Sequence, residues 1–478
     1  MRRRLALLAV LAVSLGALAP AGAGAPGTWS RLSPAPAYAN YGQVGLQRTE
    51  DGLLHVIWVR PNATTSTNND LVHTSVGVDG AVGETTSIVE NVNFIWPVVD
   101  LVADGDQLRA FWHDTTAGLQ TSTSPDGLTW TPPAAASDIG GDVGAAMAGG
   151  TPYQAFTRGG FGVVVHPGLD PLTPVSQDFQ AQLGGGDGYN PDLATDLAAG
   201  TLWIGWYSTA SDPTDSSKCR CGIYVQQVDL ATGDPVGTPV RMPRSASEFN
   251  GGEVSVNHGV RTPIVPRLGG AGGVFVAYTS GYPSTNKMIV WRIGDPDSKV
   301  IASASQRSFY APAIASAPDG RIWVAWGASD GRIHASVSNE EGTAWSPVTS
   351  VAAPGSVALA SPYNLGVEAT RTGIDVVANY PITNGVAYFH TQFVTPPQWT
   401  SGDDTLVGTS AGDFLYGGPG KDILKGAGGK DELYGGGGND KLNGGPGKDK
   451  LSGGKGTDVC IFTKGDKMSG CEKKKRAH

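Results

Sequence analysis

Seven aspartates, Asp404, Asp413, Asp422, Asp431, Asp440, Asp449 and Asp458, recur every nine residues without a slip. Carboxylates are hard oxygen ligands, so a periodic row of them is the chemistry of a cation that takes six or more oxygens, such as calcium. Two positions after each aspartate stands an apolar residue: Leu406, Leu415, Leu424, Leu433, Leu442 and Leu451, until Cys460 takes the place. Written in nines the segment reads WTSGDDTLV, GTSAGDFLY, GGPGKDILK, GAGGKDELY, GGGGNDKLN, GGPGKDKLS and GGKGTDVCI, ending at Ile461. A flexible Gly-rich linker needs neither period, so the segment is expected to fold.

Other spacings carry less chemistry. The eight His include no H-E-x-x-H pair, which excludes a zinc protease of that type. Gly408, Ser410 and Gly412 match the nucleophile elbow G-x-S-x-G, but no strand-to-helix unit surrounds them and their Gly belong to the nine-residue register. His113 and His334 stand beside strand aromatics, where packing or hydrogen bonding is the expected role. Cys219 and Cys221 form C-x-C in a long loop; a mutual bridge or a metal site both remain open, with a structural bridge favoured. Cys460 and Cys471 frame the chain's end and make a more comfortable pair.

The elements that must carry these residues are strands. Gly (69) and Pro (32) make up about a fifth of the 478 residues, which rules out a long helical protein. Between 40 and 396 an extended segment ending in an aromatic recurs seven times, at Trp58, Trp112, Phe156, Trp206, Tyr278, Trp326 and Tyr380. The intervals between these aromatics match the span of a four-stranded propeller blade. A β-sandwich also has regular strands, but seven copies exceed one sandwich. The fold class is therefore all-β: a seven-bladed β-propeller followed by the nine-residue repeats.

Charge separates the two parts. Of 15 Lys only Lys218, Lys287 and Lys299 precede residue 400, so composition breaks there. Formal net charge is −9 and pI about 5.4, which offers no attraction for nucleic acid or an anionic membrane surface. Met1, Arg2, Arg3 and Arg4 precede an apolar run to Ala19 and an A-x-A site at Ala21-Gly22-Ala23, the pattern of a secretory signal peptide. That run is too short to span a membrane, and no later one qualifies.

The nine-residue register resembles the RTX, or haemolysin-type calcium-binding, repeat G-G-x-G-x-D-x-U-x over about 63 of the 478 residues. The resemblance implies a parallel β-roll with two repeats to each turn, Leu inward and Ca²⁺ held between stacked loops. Stacking would set Asp404 against Asp422, Asp413 against Asp431, Asp422 against Asp440, Asp431 against Asp449, and Asp440 against Asp458. Folding is then expected to depend on Ca²⁺. Lys421, Lys430, Lys441, Lys448, Lys450 and Lys455 flank the loops and are expected to weaken its affinity.

Ser124-Pro125-Asp126-Gly127-Leu128-Thr129-Trp130 and the stretch from Ser338 to Trp345 resemble, imperfectly, the Asp box of sialidase-like propellers. In that family the acid bonds turn amides and the Gly takes positive φ. A sialidase would also need an Arg cluster and a Tyr activated by a Glu. The opening region offers Arg48 and Arg60 but no R-I-P motif; Glu253 and Tyr310 could be cast as the pair, while the Arg expected afterwards is replaced in 276-VAYTSGY-282. The expected role of the propeller is thus to bind an extracellular glycan or protein at its central channel; the alternative is a sialidase-like exo-glycosidase.

The expected organisation is a signal peptide at 1–23, a propeller at 28–396, an RTX roll at 399–461 and a disulfide-closed basic tail at 462–478. The protein is expected to be secreted, with calcium as its cofactor and no nucleic-acid partner.

Overall fold

Short runs of Val, Ile, Leu and aromatic residues, bounded by turns of Gly, Asp and Pro, form strands throughout the chain. The structure, a computed structural model, describes residues 27–477 apart from 34–41, 66–67, 78–79, 95–97, 138–140, 142, 159–161, 213–214, 220, 244–260, 269–271, 281–286, 304–308, 339–341, 344, 356–361, 363, 371–372, 384, 395–401 and 409–413. Of 211–212, 215–219, 280, 309–310, 394 and 414 it describes the backbone alone. Residues 1–23, expected to be a signal peptide, and the segment around Pro396 lie outside the described residues. Among the described residues the one helical element is a 3₁₀ turn, Gln180–Leu183, and no helix is long and apolar enough to cross a membrane.

Residues 30–394 form a seven-bladed propeller. The first strands of the blades are Gly45–Arg48, Val99–Asp104, Val143–Ala148, Gly188–Asp196, Ile264–Pro266, Phe309–Ser316 and Asn364–Ala369, and they contact one another in a closed ring. Side chains bridge the ring at several joints. Asp100 Oδ2 accepts from the Ala145 amide at 2.7 Å, and Thr195 Oγ1 donates to the Met147 carbonyl at 2.9 Å.

Each second strand carries the recurring aromatic into the packing between blades. Trp58, Trp112, Phe156, Trp206, Tyr278, Trp326 and Tyr380 are all buried. This is why the motif recurs: every blade must present a large apolar side chain to its neighbour's sheet. The third blade has three strands, because Pro171 and Pro174 interrupt the outer one. Phe179 and Gln180 replace it as packing, with Trp206 Nε1 donating to Gln180 Oε1 at 2.9 Å.

The last blade is completed by the start of the chain. Ser30–Arg31 pairs with Gly385–Val394, beside Gly373–Ile382 and Asn364–Ala369.

From Thr405 onward the chain winds into a parallel β-roll. One sheet stacks Thr405–Val407, Ile423–Lys425, Lys441–Asn443, Val459–Phe462 and Lys473–Arg476; the other stacks Phe414–Pro419, Glu432–Gly437, Lys450–Lys455 and Lys467–Ser469. Pairings such as Leu406 with Leu424 and Leu415 with Leu433 advance by two repeats per turn. The repeating Leu and Cys460 form one buried core. The basic tail, expected to be solvated beyond the roll, is instead its last strand. Parallel pairing needs only an extended backbone, and all four side chains of Lys473–Arg476 still face solvent.

Candidate calcium centre

The loops that join the two sheets stack the aspartates in two ladders, one along each edge of the roll. On one edge the Asp404 amide donates to Asp422 Oδ1, Asp422 to Asp440 Oδ1 and Asp440 to Asp458 Oδ1, each at 2.8 Å. On the other, the Asp431 amide donates to Asp449 Oδ1 at 3.0 Å. The aspartate carbonyls carry the pairing onward: Asp422 O accepts from Lys441 N and Asp440 O from Val459 N, both at 2.8 Å. One carboxylate oxygen of Asp422, Asp440, Asp449 and Asp458 is thus spent on joining turns.

The second oxygen is not. Oδ2 of Asp422, Asp440, Asp449 and Asp458 is buried without a hydrogen-bond partner. A buried, unpaired carboxylate oxygen costs several kcal/mol unless a cation or proton meets it. Beside each lies a glycine that leaves a cradle. A Cβ on Gly417 would stand 2.5 Å from Asp422 Oδ2 and 2.6 Å from the Gly435 carbonyl oxygen, and one on Gly435 would strike Asp440 Oδ2 and the Gly453 carbonyl. At Gly417, Gly435 and Gly453 the cradle joins a carboxylate to a carbonyl of the following turn, the mixed oxygen set that calcium takes. Residues 400–433 and 425–460 match the family of the RTX calcium-binding nonapeptide repeat in its four-copy form.

Residues 400–460 are RTX calcium-binding repeats. Calcium is their cofactor, and Asp Oδ2 with the glycine carbonyls are the groups of this RTX roll that would hold it. The bound ion would supply positive charge where the ladder concentrates negative charge. Without that charge, burial pushes Asp422 up to about 7 and Asp440 up to about 6, with neighbouring ladder acids adding to the rise. Asp449 is raised too, again by burial first. Among the described residues no three acidic, His or Cys side chains form a cluster, because the glycine backbone of the RTX roll contributes the other oxygens.

Of the seven aspartates expected as ligands, Asp422, Asp431, Asp440, Asp449 and Asp458 are buried in the ladders and Asp404 opens one at the partly exposed end. Asp413 lies outside the described residues. Asp466 and Glu472, absent from the nine-residue register, extend the two ladders at the far end: they accept from the amides of Asp449 at 2.9 Å and Asp458 at 2.8 Å. The Cys460–Cys471 bridge is formed. The pairing of Cys219 turns on a side chain outside the described residues.

The propeller's polar groups gather at the axis. Arg261 is ion-paired with Asp100 and lies 3.8 Å from Asp192, and its amide donates to Gln43 Oε1 at 2.7 Å, so four blades meet there. Burial pushes Asp192 up to about 7. The axial cavity beside it, lined also by Ile264, Ile314 and Leu365, measures about 120 Å³. A larger cavity of about 340 Å³ lies between the fifth and sixth blades, lined by Phe275, Arg292, Asp295, Ser298, Lys299 and Trp345. Ser298 Oγ is buried there without a hydrogen-bond partner.

Arg48 is ion-paired with Asp375, and Arg60 with Asp70 at 3.2 Å. Glu253 and the Tyr310 side chain lie outside the described residues. In the first Asp-box-like turn, Asp126 Oδ1 accepts from the amides of Leu128 at 2.8 Å and Thr129 at 3.0 Å, and Gly127 takes φ +74°. His334 stacks on Trp326 and faces Asp330 at 3.1 Å.

No curated protein matches the chain. Among solved structures, the BP39L lectin from Burkholderia pseudomallei is 12% identical, with a TM-score of 0.49 over 73% of this chain and 98% of that one. The Aleuria aurantia lectin is 13% identical, with a TM-score of 0.40 over 75% and 96%. Drosophila Semaphorin 1a is 10% identical, with a TM-score of 0.45 over 76% and 87%. Likeness at this level says nothing of the chain's ligands.

Proposed function

We propose that the chain is exported, loses residues 1–23, and works outside the cell as a calcium-dependent binding protein. Its units are a propeller at 28–396, an RTX roll at 399–461 and the closing segment 462–478. Asp404, Asp413, Asp422, Asp431, Asp440, Asp449 and Asp458 hold the calcium, and the roll folds as it binds. The observation that carries this reading is the row of buried Oδ2 atoms without hydrogen-bond partners. Folding would bury three such oxygens along one edge of the roll and one along the other, so the ion and the fold arrive together.

The propeller serves this protein as a glycan-binding module. The cavity between the fifth and sixth blades supports that reading better than the axis does, where the space beside Arg261 and Asp192 measures only about 120 Å³. Trp345 and Phe275 offer apolar surface, while Arg292, Asp295, Lys299 and the unpaired Ser298 hydroxyl offer groups for sugar oxygens. A glycan array probed with the intact protein and with Trp345→Ala tests it: binding lost in the variant supports the site, and equal binding by both rejects it. The glycosidase reading has its own test. Turnover of a fluorogenic sialoside that Tyr310→Phe abolishes would replace the binding role with catalysis.

A further inference from the structure

Residues 462–477 follow the last matched repeat and lack its glycine pattern, yet they continue the roll with a shortened step. Among the described strands, every earlier turn advances by two full repeats, as from Lys441 to Val459. Lys450 pairs with Lys467, one position short of that step, and Val459 pairs with Lys473, four positions short. The Cys460–Cys471 disulfide, with Cα atoms 5.9 Å apart, ties this shorter return to the core. The two ladders end differently inside it. Asp466 gives Oδ1 to the Asp449 amide and Oδ2 to the Thr463 amide at 2.6 Å, so both of its oxygens are engaged and that edge stops.

The other edge does not stop. Asp458 is fully buried, its Oδ2 has no hydrogen-bond partner, and Glu472 accepts from its amide as the next ladder acid would. A Cβ on Gly453 would stand 2.6 Å from Asp458 Oδ2 and would strike the Gly470 carbonyl. That is the cradle seen at Gly417 and Gly435, but its carbonyl now comes from outside the repeats. In the repeats the glycine that lends its carbonyl precedes the ladder acid by five positions; Gly470 precedes Glu472 by two.

We infer that Asp458 Oδ2 and the Gly470 carbonyl form a terminal calcium site that the repeats alone do not complete, with the Cys460–Cys471 bridge as its positioning element. Gly470 is the residue next to Cys471, so the disulfide fixes the carbonyl opposite Asp458. Glu472 supplies the negative charge of the missing next turn. The inference rests on the calcium reading of the RTX roll and deepens it: one site in this protein depends on an oxidised bridge, and the others do not.

The test is calcium stoichiometry of the full chain by equilibrium dialysis. Cys460→Ser with Cys471→Ser should bind one calcium fewer than the unaltered protein. Gly453→Ala, which fills the cradle and leaves the bridge intact, should lose that ion, and at most also the neighbouring one whose cradle takes the Gly453 carbonyl. Asp466→Asn should lose none. Unchanged stoichiometry in both the cysteine variant and Gly453→Ala overturns the inference. If the cysteine variant loses every site, Gly453→Ala alone decides. An unaltered chain that binds no calcium overturns the RTX reading itself, a result distinct from either.

Discussion

Ser30 lies opposite His390 in an antiparallel ladder, so the first described strand closes the blade whose other strands come last. Leu32 N donates to Tyr388 O and Gly27 N to Gln392 O, both at 2.9 Å. A ring closed this way exposes no blade edge at the join and ties the two ends of the propeller to one unfolding event.

Trp29 is the side chain that secures the closure. Its ring meets Tyr380 edge-on at 5.7 Å and Phe389 at 6.4 Å. Trp29→Ala should cost about 2 kcal/mol in denaturant unfolding, below the roughly 3–5 kcal/mol of a fully buried aromatic because the ring is half-buried. Leu172→Ala, at a side chain 87% exposed, should cost under about 0.5 kcal/mol. Equal effects would contradict closure by this strand.

His55 and His73 make the propeller sensitive to acid. Their rings stack in the first blade, with Nδ1 of His55 2.8 Å from Nε2 of His73, under the Gly127 turn. Burial lowers both, His73 to about 3. A His held neutral in the fold gives its full stability above its ordinary value of 6.5 and loses it as pH falls from there toward 3. At about 1.4 kcal/mol per pH unit, His73 should account for about 2 kcal/mol of the stability lost between pH 7 and pH 5. In His73→Asn the pH-dependent loss should shrink by that amount; an unchanged loss would assign it to other groups.

The cradles of the roll give a paired substitution. A Cβ on Gly435 would strike Asp440 Oδ2 and the Gly453 carbonyl, whereas one on Gly437 meets nothing within 4 Å. Gly435→Ala should weaken calcium binding at least about tenfold, or about 1.4 kcal/mol per site, by isothermal titration. Gly437→Ala should stay within about twofold. The reverse order would place the ion elsewhere.

Much of the fold could be read from periodicity. Seven aromatic-ended strands, Trp58 to Tyr380, mark one buried position per blade, and the ladder of Leu406 to Leu451 marks the core of the roll. The strand that closes the ring could not be read, because Ser30–Arg31 is so short and its partner, Gly385–Val394, lies at the opposite end of the propeller sequence. Arg261 escaped notice for a similar reason: it stands in an irregular segment, and only the ring brings it to Asp100 and Asp192. Asp466 and Glu472 escaped because the step of the roll shortens there and the glycines of the register are missing.

The most direct test of a calcium-folded roll is far-UV circular dichroism of residues 399–478, chelated and then titrated with Ca²⁺, beside an Asp422→Ala, Asp440→Ala variant. Coupled binding and folding predicts little β-signal without the ion and a cooperative gain with it, weakened in the variant. A β-signal that is present after chelation and indifferent to calcium would contradict it.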